Sequence, residues 1–233
     1  ILGGAGNVAN NLKNLRENIE IIGLIGNDIY GTIIKNKLES MQIEHKLFID
    51  NRNTTQKNRI FLNNKINVRF DVEDTYEISD AIENDIIYYI THKQKTDAII
   101  ISDYDKGFVT QRLSQTIIKY ANENNIPTFV DPKIKNYLKY KDCFLFKPNI
   151  SEAETLTNQK DLDIITSSLK TSINCTNLLI TMGKEGMILN SAENKIEHNS
   201  IIKLVDVTGA GDIVLSVIVY IYLKCGDLLK ACK

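Results

Sequence analysis

Apolar runs suited to buried strands alternate with stretches of helical spacing along most of this 233-residue chain. The strand-like runs are rich in Ile and do not alternate with polar residues, which is typical of strands covered on both faces. The spacing predicts helices at residues 6–16, 28–41, 110–124, 152–156, 162–171 and 209–223, and strands at 19–25, 96–102, 127–131, 143–147 and 177–182. This order predicts an α/β fold with a doubly wound, mainly parallel sheet and helices on both faces. In such folds ligands bind at the carboxyl ends of the strands.

Residues 45–73 interrupt this alternation with three strand-like runs, at 47–49, 57–62 and 67–72. Asn63 and Asn64 stand between the last two runs as a hairpin turn. We therefore expect a small antiparallel β flap that projects from the sheet edge and serves as a lid or a dimer surface.

The composition indicates which partners and which compartment suit this chain. A net charge of -1 argues against a nucleic-acid surface, and the most apolar stretch, residues 213–223, is about half as long as a membrane span. The four cysteines show no CxxC spacing, which is typical of buried thiols in a reducing compartment. No linker divides the chain, and it opens inside a motif without Met. We expect one cytoplasmic domain over residues 1–233, truncated at both ends, with small-molecule partners and neither nucleic acid nor membrane.

Gly209, Ala210, Gly211 and Asp212 open the last predicted helix. A Gly-Ala-Gly turn at a helix start leaves backbone N–H groups without partners and directs the positive end of the helix dipole at one point, which favours an anion. A carboxylate beside a bound phosphate suggests a group that takes the proton from a hydroxyl as it attacks a phosphoryl group. The alternative is an ordinary turn and helix cap.

A second glycine turn lies near the start of the chain, where Gly3 and Gly4 precede Asn7. Such a turn lets a ligand hydroxyl approach the backbone and bond to the Asn7 amide. Gly4-x-Gly6-x-x-Ala9 also matches the dinucleotide fingerprint, but no strand precedes it, so NAD binding is the weaker alternative.

Two further segments follow predicted strands and carry phosphate-binding chemistry. Asn149 and Glu152 are three residues apart at a helix start, so an amide and a carboxylate share one face and can orient hydrated Mg²⁺ and nucleotide phosphates. Helix capping is the alternative. Residues 181–186, Thr-Met-Gly-Lys-Glu-Gly, suit phosphate contact, and the alternative there is a hairpin turn. No GxxxxGK[ST] sequence occurs, which excludes a P-loop enzyme.

Four motifs in order, GGAGNVANNL, KPNISE, TMGKEG and DVTGAGD, resemble those of the ribokinase-like (PfkB) carbohydrate kinases and span nearly the whole chain. The resemblance implies an ATP-dependent sugar kinase of ribokinase-like fold, with Asp212 as the base and the amides of Gly209, Ala210 and Gly211 stabilising the transferred phosphoryl group. It implies that Mg²⁺ binds through phosphates and water, with Glu152 acting on it through water. The implied nucleotide site comprises Asn149, Ile150, Ser151, Glu152, Thr181, Gly183, Lys184 and Gly186.

Within the family the chain is most similar to the kinases that phosphorylate D-glycero-β-D-manno-heptose 7-phosphate at O1 on the route to ADP-heptose. The likeness lies in the short spacing from the double glycine to Asn7, in SDYDKG, and in VDPK followed by Tyr137, Tyr140 and KPNISE. It implies a sugar site that includes Gly3, Gly4, Asn7, Asp103, Lys106 and Lys133. The chain departs from the family at Ile213 and Lys147, where Thr is common. The alternatives are a fructokinase or ribokinase-like enzyme, or a non-catalytic sugar- or nucleotide-binding relative.

Three cations of the flap bear on the substrate. Lys57 and Arg59 alternate along one predicted strand and so point to the same face, and Arg69 lies on the next strand. A sugar that already carries phosphate would bind such a face through charge-assisted hydrogen bonds, whereas a neutral hexose would not. The alternative is that these charges are solvated and protect an exposed β edge. We also expect a homodimer through the flap and a nucleotidyltransferase domain fused to the kinase in the full-length protein.

Overall fold

Helices and strands alternate along the chain in the computed structural model, which describes residues 2–62, 65–93, 95–191, 196–199 and 209–232. The helices are α1 (Ala5–Asn14), α2 (Ile29–Ser40), α3 (Asp80–Thr91), α4 (Gln111–Glu123), α5 (Ile150–Thr157), α6 (Leu162–Ile173), α7 (Ala210–Cys225) and α8 (Leu228–Ala231). The strands are β1 (Glu20–Gly26), β2 (Glu44–Asp50), β3 (Gln56–Leu62), β4 (Lys65–Val72), β5 (Ile99–Ser102), β6 (Thr128–Asp131), β7 (Leu145–Phe146), β8 (Asn177–Thr181), β9 (Met187–Asn190) and β10 (Ile196–Asn199). Two 3₁₀ helices cover Tyr137–Tyr140 and Gly183–Glu185.

The largest sheet has the strand order β10-β9-β8-β7-β6-β5. Strands β5 to β8 run parallel, and β9 and β10 add an antiparallel edge. Adjacent residues of β6 are buried on opposite faces: Phe129 packs with α7 and α8, whereas Val130 packs with α4, α5 and α6. Helices therefore cover both faces, which confirms the predicted doubly wound architecture and explains why these strands are apolar without alternation.

A second, two-stranded sheet joins β1 and β2 in parallel, with Gly23 opposite Leu47. The strand expected at residues 47–49 thus belongs beside β1, and the flap, expected over 45–73, begins only at Gln56. Sequence reasoning assigned this run to the flap because consecutive strands usually pair with each other, whereas here α2 carries the chain across to a parallel neighbour.

The flap itself is the antiparallel pair β3–β4, which forms no sheet with the other described strands. Lys57 lies opposite Asp71 and Arg59 opposite Arg69, so one face is charged. The other face carries four exposed apolar side chains, Ile60, Val68, Phe70 and Val72, together with Gln56 and Asn58. The turn predicted at residues 63–64 lies outside the described residues.

Helix α3 is absent from the sequence-based prediction, although the sequence signals it. The Ser79 side chain caps its first turn by accepting from the Ile82 N–H, and Asp80 and Glu83 supply acidic residues there. Ile86 is fully buried against α4 and the β1–β2 sheet. Among the described residues, no helix is long and apolar enough to cross a membrane.

Candidate active site

Asp212 lies in the first turn of α7 and is only 7% exposed. Gly209 caps this helix in the left-handed conformation (φ 80°), which explains why a glycine stands there. The N–H groups of the first helical turn have no partner within the helix, so Ala210 and Gly211 present donors next to the carboxylate. Residues 206–208 of the motif lie outside the described part of the chain.

The two glycine motifs from opposite ends of the chain meet at Asp212. Asn7, on α1, donates from Nδ2 to Asp212 Oδ2 at 2.8 Å. Helix α1 packs directly against α7, and a Cβ atom built on Gly209 would lie 3.1 Å from Asn7 Nδ2. The missing side chain at Gly209 therefore lets the Asn7 amide reach the carboxylate.

Tyr104 supplies the second donor to Asp212, with its hydroxyl 2.9 Å from Oδ1. Its ring packs on Gly4, where an added Cβ would lie 3.0 Å from Cε2 of the ring. At Gly3, by contrast, an added Cβ would meet no described atom within 4 Å. Sequence reasoning missed Tyr104, although it stands between two expected site residues, Asp103 and Lys106.

Lys147 brings a buried cation to the helix start. Its side chain is 3% exposed and its Nζ lies 2.9 Å from Asp131 Oδ1. A Cβ built on Gly211 would lie only 3.6 Å from the same Nζ, so the ammonium stands beside the unpaired amides. Burial raises the pKa of Asp131, and Lys147 opposes that shift. The departure from Thr at this position thus places a positive charge beside the start of α7.

Asp103, which was predicted to bind sugar, is only 4% exposed and lies within a network of hydrogen bonds inside the protein. Its carboxylate accepts from the Tyr140 hydroxyl, pairs with Lys139 at 2.6 Å and accepts from the Asp105 N–H at 2.8 Å. These contacts hold the loop that carries Tyr104. Lys106, in the same loop, pairs with Glu73 at 2.5 Å.

The nucleotide-side residues form a capping box at the start of α5. Asn149 Oδ1 accepts from the Glu152 N–H at 2.9 Å, and Glu152 Oε2 accepts from the Asn149 N–H at 3.0 Å. Helix capping is therefore confirmed for this pair. Glu152 Oε1 also accepts from Lys133 Nζ at 3.0 Å, and the same ammonium lies 5.6 Å from the centroid of the Tyr104 ring. Ile150 and Ser151 are the first two residues of the helix.

Residues 181–186 form the connection of a hairpin, which confirms the alternative noted from the sequence. Strands β8 and β9 are antiparallel, and the Met182 N–H donates to the Gly186 carbonyl at 2.8 Å. Thr181 also forms an isolated bridge with Asn149, so this turn lies next to the α5 start. Gly183 and Lys184 lie in this turn, and Lys184 is exposed and accessible to a ligand.

The charged face of the flap reaches toward this centre. Lys57 Nζ lies 5.2 Å from the centroid of the Tyr104 ring, close enough for a cation–π contact. Arg59 and Arg69 share its face by strand register, and Arg69 pairs with Asp71 at 2.6 Å. Burial lowers the pKa of Lys57, and the neighbouring Arg69 lowers it further.

The acidic residues at the site bear on how Mg²⁺ would be held. The described residues contain no group of three or more His, Cys, Asp or Glu side chains placed to hold a metal ion. Both Glu152 oxygens accept hydrogen bonds within the protein. Glu152 would therefore fit Mg²⁺ through water ligands, several of which this ion commonly keeps.

Comparison with known proteins identifies the family. Residues 1–233 match the model of the pfkB family of carbohydrate kinases. The chain is 34% identical to the bifunctional protein HldE of a Nitratiruptor species and 36% identical to that of Aliarcobacter butzleri, over 99% and 94% of its length. It spans about half the length of these curated relatives, 50% and 48%.

Solved structures give the same fold. Phosphofructokinase-2 from Escherichia coli, in complex with fructose-6-phosphate, superimposes with a TM-score of 0.82 at 15% identity, over 99% of this chain and 78% of that chain. Arabidopsis thaliana ribokinase, complexed with ribose and ATP, gives a TM-score of 0.75 at 15% identity over 97% and 76%. These likenesses confirm the predicted ribokinase-like fold. With the family match and the HldE relatives, they establish that this chain belongs to the pfkB family of carbohydrate kinases.

Proposed function

We propose that this chain is an ATP-dependent kinase domain that phosphorylates D-glycero-β-D-manno-heptose 7-phosphate at O1, giving the 1,7-bisphosphate for ADP-heptose and the lipopolysaccharide core. The observation that carries the phosphoryl-transfer part is the meeting of Asn7, Tyr104 and Asp212 at the start of α7. The heptose part is supported by the SDYDKG and KPNISE segments and by relatives named HldE at 34% and 36% identity.

Asp212 acts as the general base. Its carboxylate takes the proton from the sugar hydroxyl as the oxygen attacks the γ-phosphorus of ATP, and the bond to the β-phosphate oxygen breaks with ADP leaving. Negative charge on the transferred group is stabilised by the amides of Gly209, Ala210 and Gly211. Lys147, whose ammonium stands beside Gly211, adds a buried positive charge there.

ATP binds along the α5 start and the β8–β9 turn. Asn149 and Thr181 are bridged, which brings the two segments together, and Gly183 and the exposed Lys184 lie beside them. The remaining contributors are Ile150, Ser151, Glu152 and Gly186. When bound, Mg²⁺ would neutralise charge on the β- and γ-phosphates, with Glu152 orienting its water ligands.

The sugar lies between the α1 turn and the flap. No described atom lies within 4 Å of a Cβ built on Gly3, and Lys57 reaches over Tyr104 from the flap. Arg59 and Arg69 on the same face, with Lys106 in the adjacent loop, supply cations for a phosphate at the far end of the sugar.

We further propose that two copies of the chain associate through the flap. Its outward face carries four exposed apolar side chains, of Ile60, Val68, Phe70 and Val72. A second copy of this face is a self-complementary partner for it. A fused nucleotidyltransferase domain is consistent with relatives about twice as long as this chain. A cytoplasmic location stays a prediction.

A fructokinase or ribokinase-like activity is the near alternative, since the solved neighbours include a complex with fructose-6-phosphate and one with ribose. A non-catalytic sugar- or nucleotide-binding relative is the other, and the donors gathered on Asp212 argue against it.

The test supplies full-length protein with ATP, Mg²⁺ and one sugar at a time, and identifies the product by ³¹P NMR. We expect phosphorylation of heptose 7-phosphate at O1. Faster turnover of fructose or ribose would assign the near alternative, and no ATP turnover with any sugar would assign the non-catalytic one.

A further inference from the structure

We propose that Tyr104 is a positioning residue for the general base. Through its hydroxyl it fixes the Asp212 carboxylate in the orientation that receives the proton from the sugar. This inference rests on the proposed kinase function and names a residue that was not among the site residues predicted from the sequence.

Two donors hold the two oxygens of one carboxylate. Tyr104 donates to Oδ1 at 2.9 Å and Asn7 donates to Oδ2 at 2.8 Å, so rotation of the carboxylate would break both hydrogen bonds. Each carboxylate oxygen has a second lone pair, which stays available for the substrate hydroxyl. The arrangement thus orients Asp212 without blocking its reaction.

The Tyr104 ring is itself held in place. It lies against Gly4, where a Cβ atom would come within 3.0 Å of it, and two ammonium groups stand by its ring, Lys57 at 5.2 Å and Lys133 at 5.6 Å from the centroid. Burial and the neighbouring Asp212 raise the pKa of Tyr104, so the hydroxyl keeps its proton and remains a donor at neutral pH.

The backbone on both sides of Tyr104 is fixed as well. On one side the buried Asp103 is tied to Tyr140 and Lys139. On the other side Gly107 fits against the Tyr76 carbonyl, where a Cβ atom would come within 1.8 Å, and its own carbonyl accepts from the Ile78 N–H. A loop pinned at both ends delivers the hydroxyl to one place, which is what a positioning residue requires.

Several elements supply the groups that face Asp212. From α1 and the Tyr104 loop these are the donors Asn7 and Tyr104, and from the ends of β6 and β7 they are the carboxylate of Asp131 and the ammonium of Lys147. Removing the Tyr104 hydroxyl takes away one donor and leaves the others. The carboxylate is then held by Asn7 alone of the two donors and can rotate out of the productive orientation.

The test is Tyr104→Phe in the full-length protein, measured as kcat and as the KM for the sugar and for ATP. We expect kcat to fall about tenfold with each KM changed less than about threefold, because orientation of the base is lost while the binding contacts remain. The matched control is Tyr89→Phe, which removes a tyrosine hydroxyl that donates to Glu20 at 2.5 Å, away from the site. The control should retain the wild-type kcat and KM values.

An unchanged kcat in Tyr104→Phe would overturn the proposal. So would a raised KM for the sugar with kcat unchanged, which would mean that the hydroxyl binds the sugar instead of orienting the base. If Tyr104→Phe does not fold, fluorotyrosine at position 104 serves instead: its altered donor strength should change kcat with each KM held within about threefold, and an unchanged kcat would overturn the proposal. Absence of activity in the wild-type protein would count against the proposed function, not against this inference.

Discussion

Asp212 receives hydrogen bonds from residues 205 and 108 positions away in the sequence, whereas each cation of the flap is placed by the strand beside it. The proposed catalytic centre is thus a product of the whole fold and needs α1, α7 and the Tyr104 loop to be packed together. The flap is a local hairpin with one charged and one apolar face. The difference suggests that the packed core determines the chemistry. The flap, a separate local hairpin, would then determine the choice of substrate and partner.

The largest effect is expected at the centre. Asp212→Asn should lower kcat about 10² to 10⁴-fold, because the general base is lost, while ATP and sugar affinities stay within a few-fold. Steady-state kinetics with equilibrium binding of ATP measures both. Asp163→Asn, which changes an acidic residue in the first turn of α6, is the control and should behave as wild type. Retention of more than about a tenth of wild-type kcat would refute the role of Asp212.

A smaller effect is expected on the nucleotide side. Glu152→Gln should raise the Mg²⁺ concentration needed for half-maximal activity about tenfold, with little change in sugar affinity, because an outer partner of the ion is lost. A glutamine can still complete the capping box, so the helix start survives. Glu154→Gln on the same helix is the control and should behave as wild type. If Glu152→Gln gave the same Mg²⁺ titration as wild type, helix capping would be the only role of Glu152.

At the flap, the expected effect is on binding. Lys57→Ala combined with Arg59→Ala should raise KM for the sugar phosphate about tenfold and change kcat less than about threefold, the pattern of lost uniform binding. Lys119→Ala combined with Lys230→Ala removes the same charge from exposed helix positions and should change neither constant. An unaltered KM in the flap variant would favour solvated charges that protect a β edge.

The smallest effect concerns the anchor of the flap. Asp28 accepts from the Gly31 N–H at 2.7 Å, which caps α2, and from the Thr54 N–H at 2.8 Å, which holds the arm leading into β3. Asp28→Ala should cost about 1–2 kcal/mol of unfolding free energy. Although burial acts to raise the pKa of Asp28, these hydrogen bonds lower it overall.

The stabilisation that Asp28 provides should depend on pH in one direction. Because the pKa of Asp28 is lowered in the folded state, the charged side chain stabilises the protein at pH values above 3.8, its pKa in the unfolded chain. This contribution is lost as the pH falls. Denaturant unfolding at pH 7 and in mild acid should show the wild-type advantage over Asp28→Ala shrinking below about pH 4. A constant difference across that range would contradict the assignment.

Local signals were sufficient to predict much of the fold. Ile-rich strands without alternation indicated a sheet covered on both faces, and the Gly209 turn marked the start of α7. The β1–β2 pairing was not predictable in the same way, because a parallel neighbour is chosen by packing across a helix and not by adjacent sequence. Helix α3 was missed despite its Ser79 cap.

The candidate site likewise contains residues that local sequence could predict and others that it could not. Motif spacing located Asp212 and Asn149, since turns and helix starts are local features. The sequence could not show that Tyr104 and Lys147 reach the α7 start, nor that Asp103 is buried in a network with Tyr140. Those facts depend on contacts between residues far apart in the chain, which only the packed fold determines.

The measurement that tests the separation of chemistry from substrate choice is the ratio of kcat/KM for heptose 7-phosphate to kcat/KM for the same heptose without phosphate. It should be determined for wild type, for Glu152→Gln and for the Lys57 and Arg59 double variant. We predict that the ratio falls about tenfold in the flap variant and is unchanged in Glu152→Gln, where both substrates lose alike. This separation of chemistry from substrate choice would be contradicted if the ratio were unchanged in the flap variant, or if it fell equally in the flap variant and in Glu152→Gln.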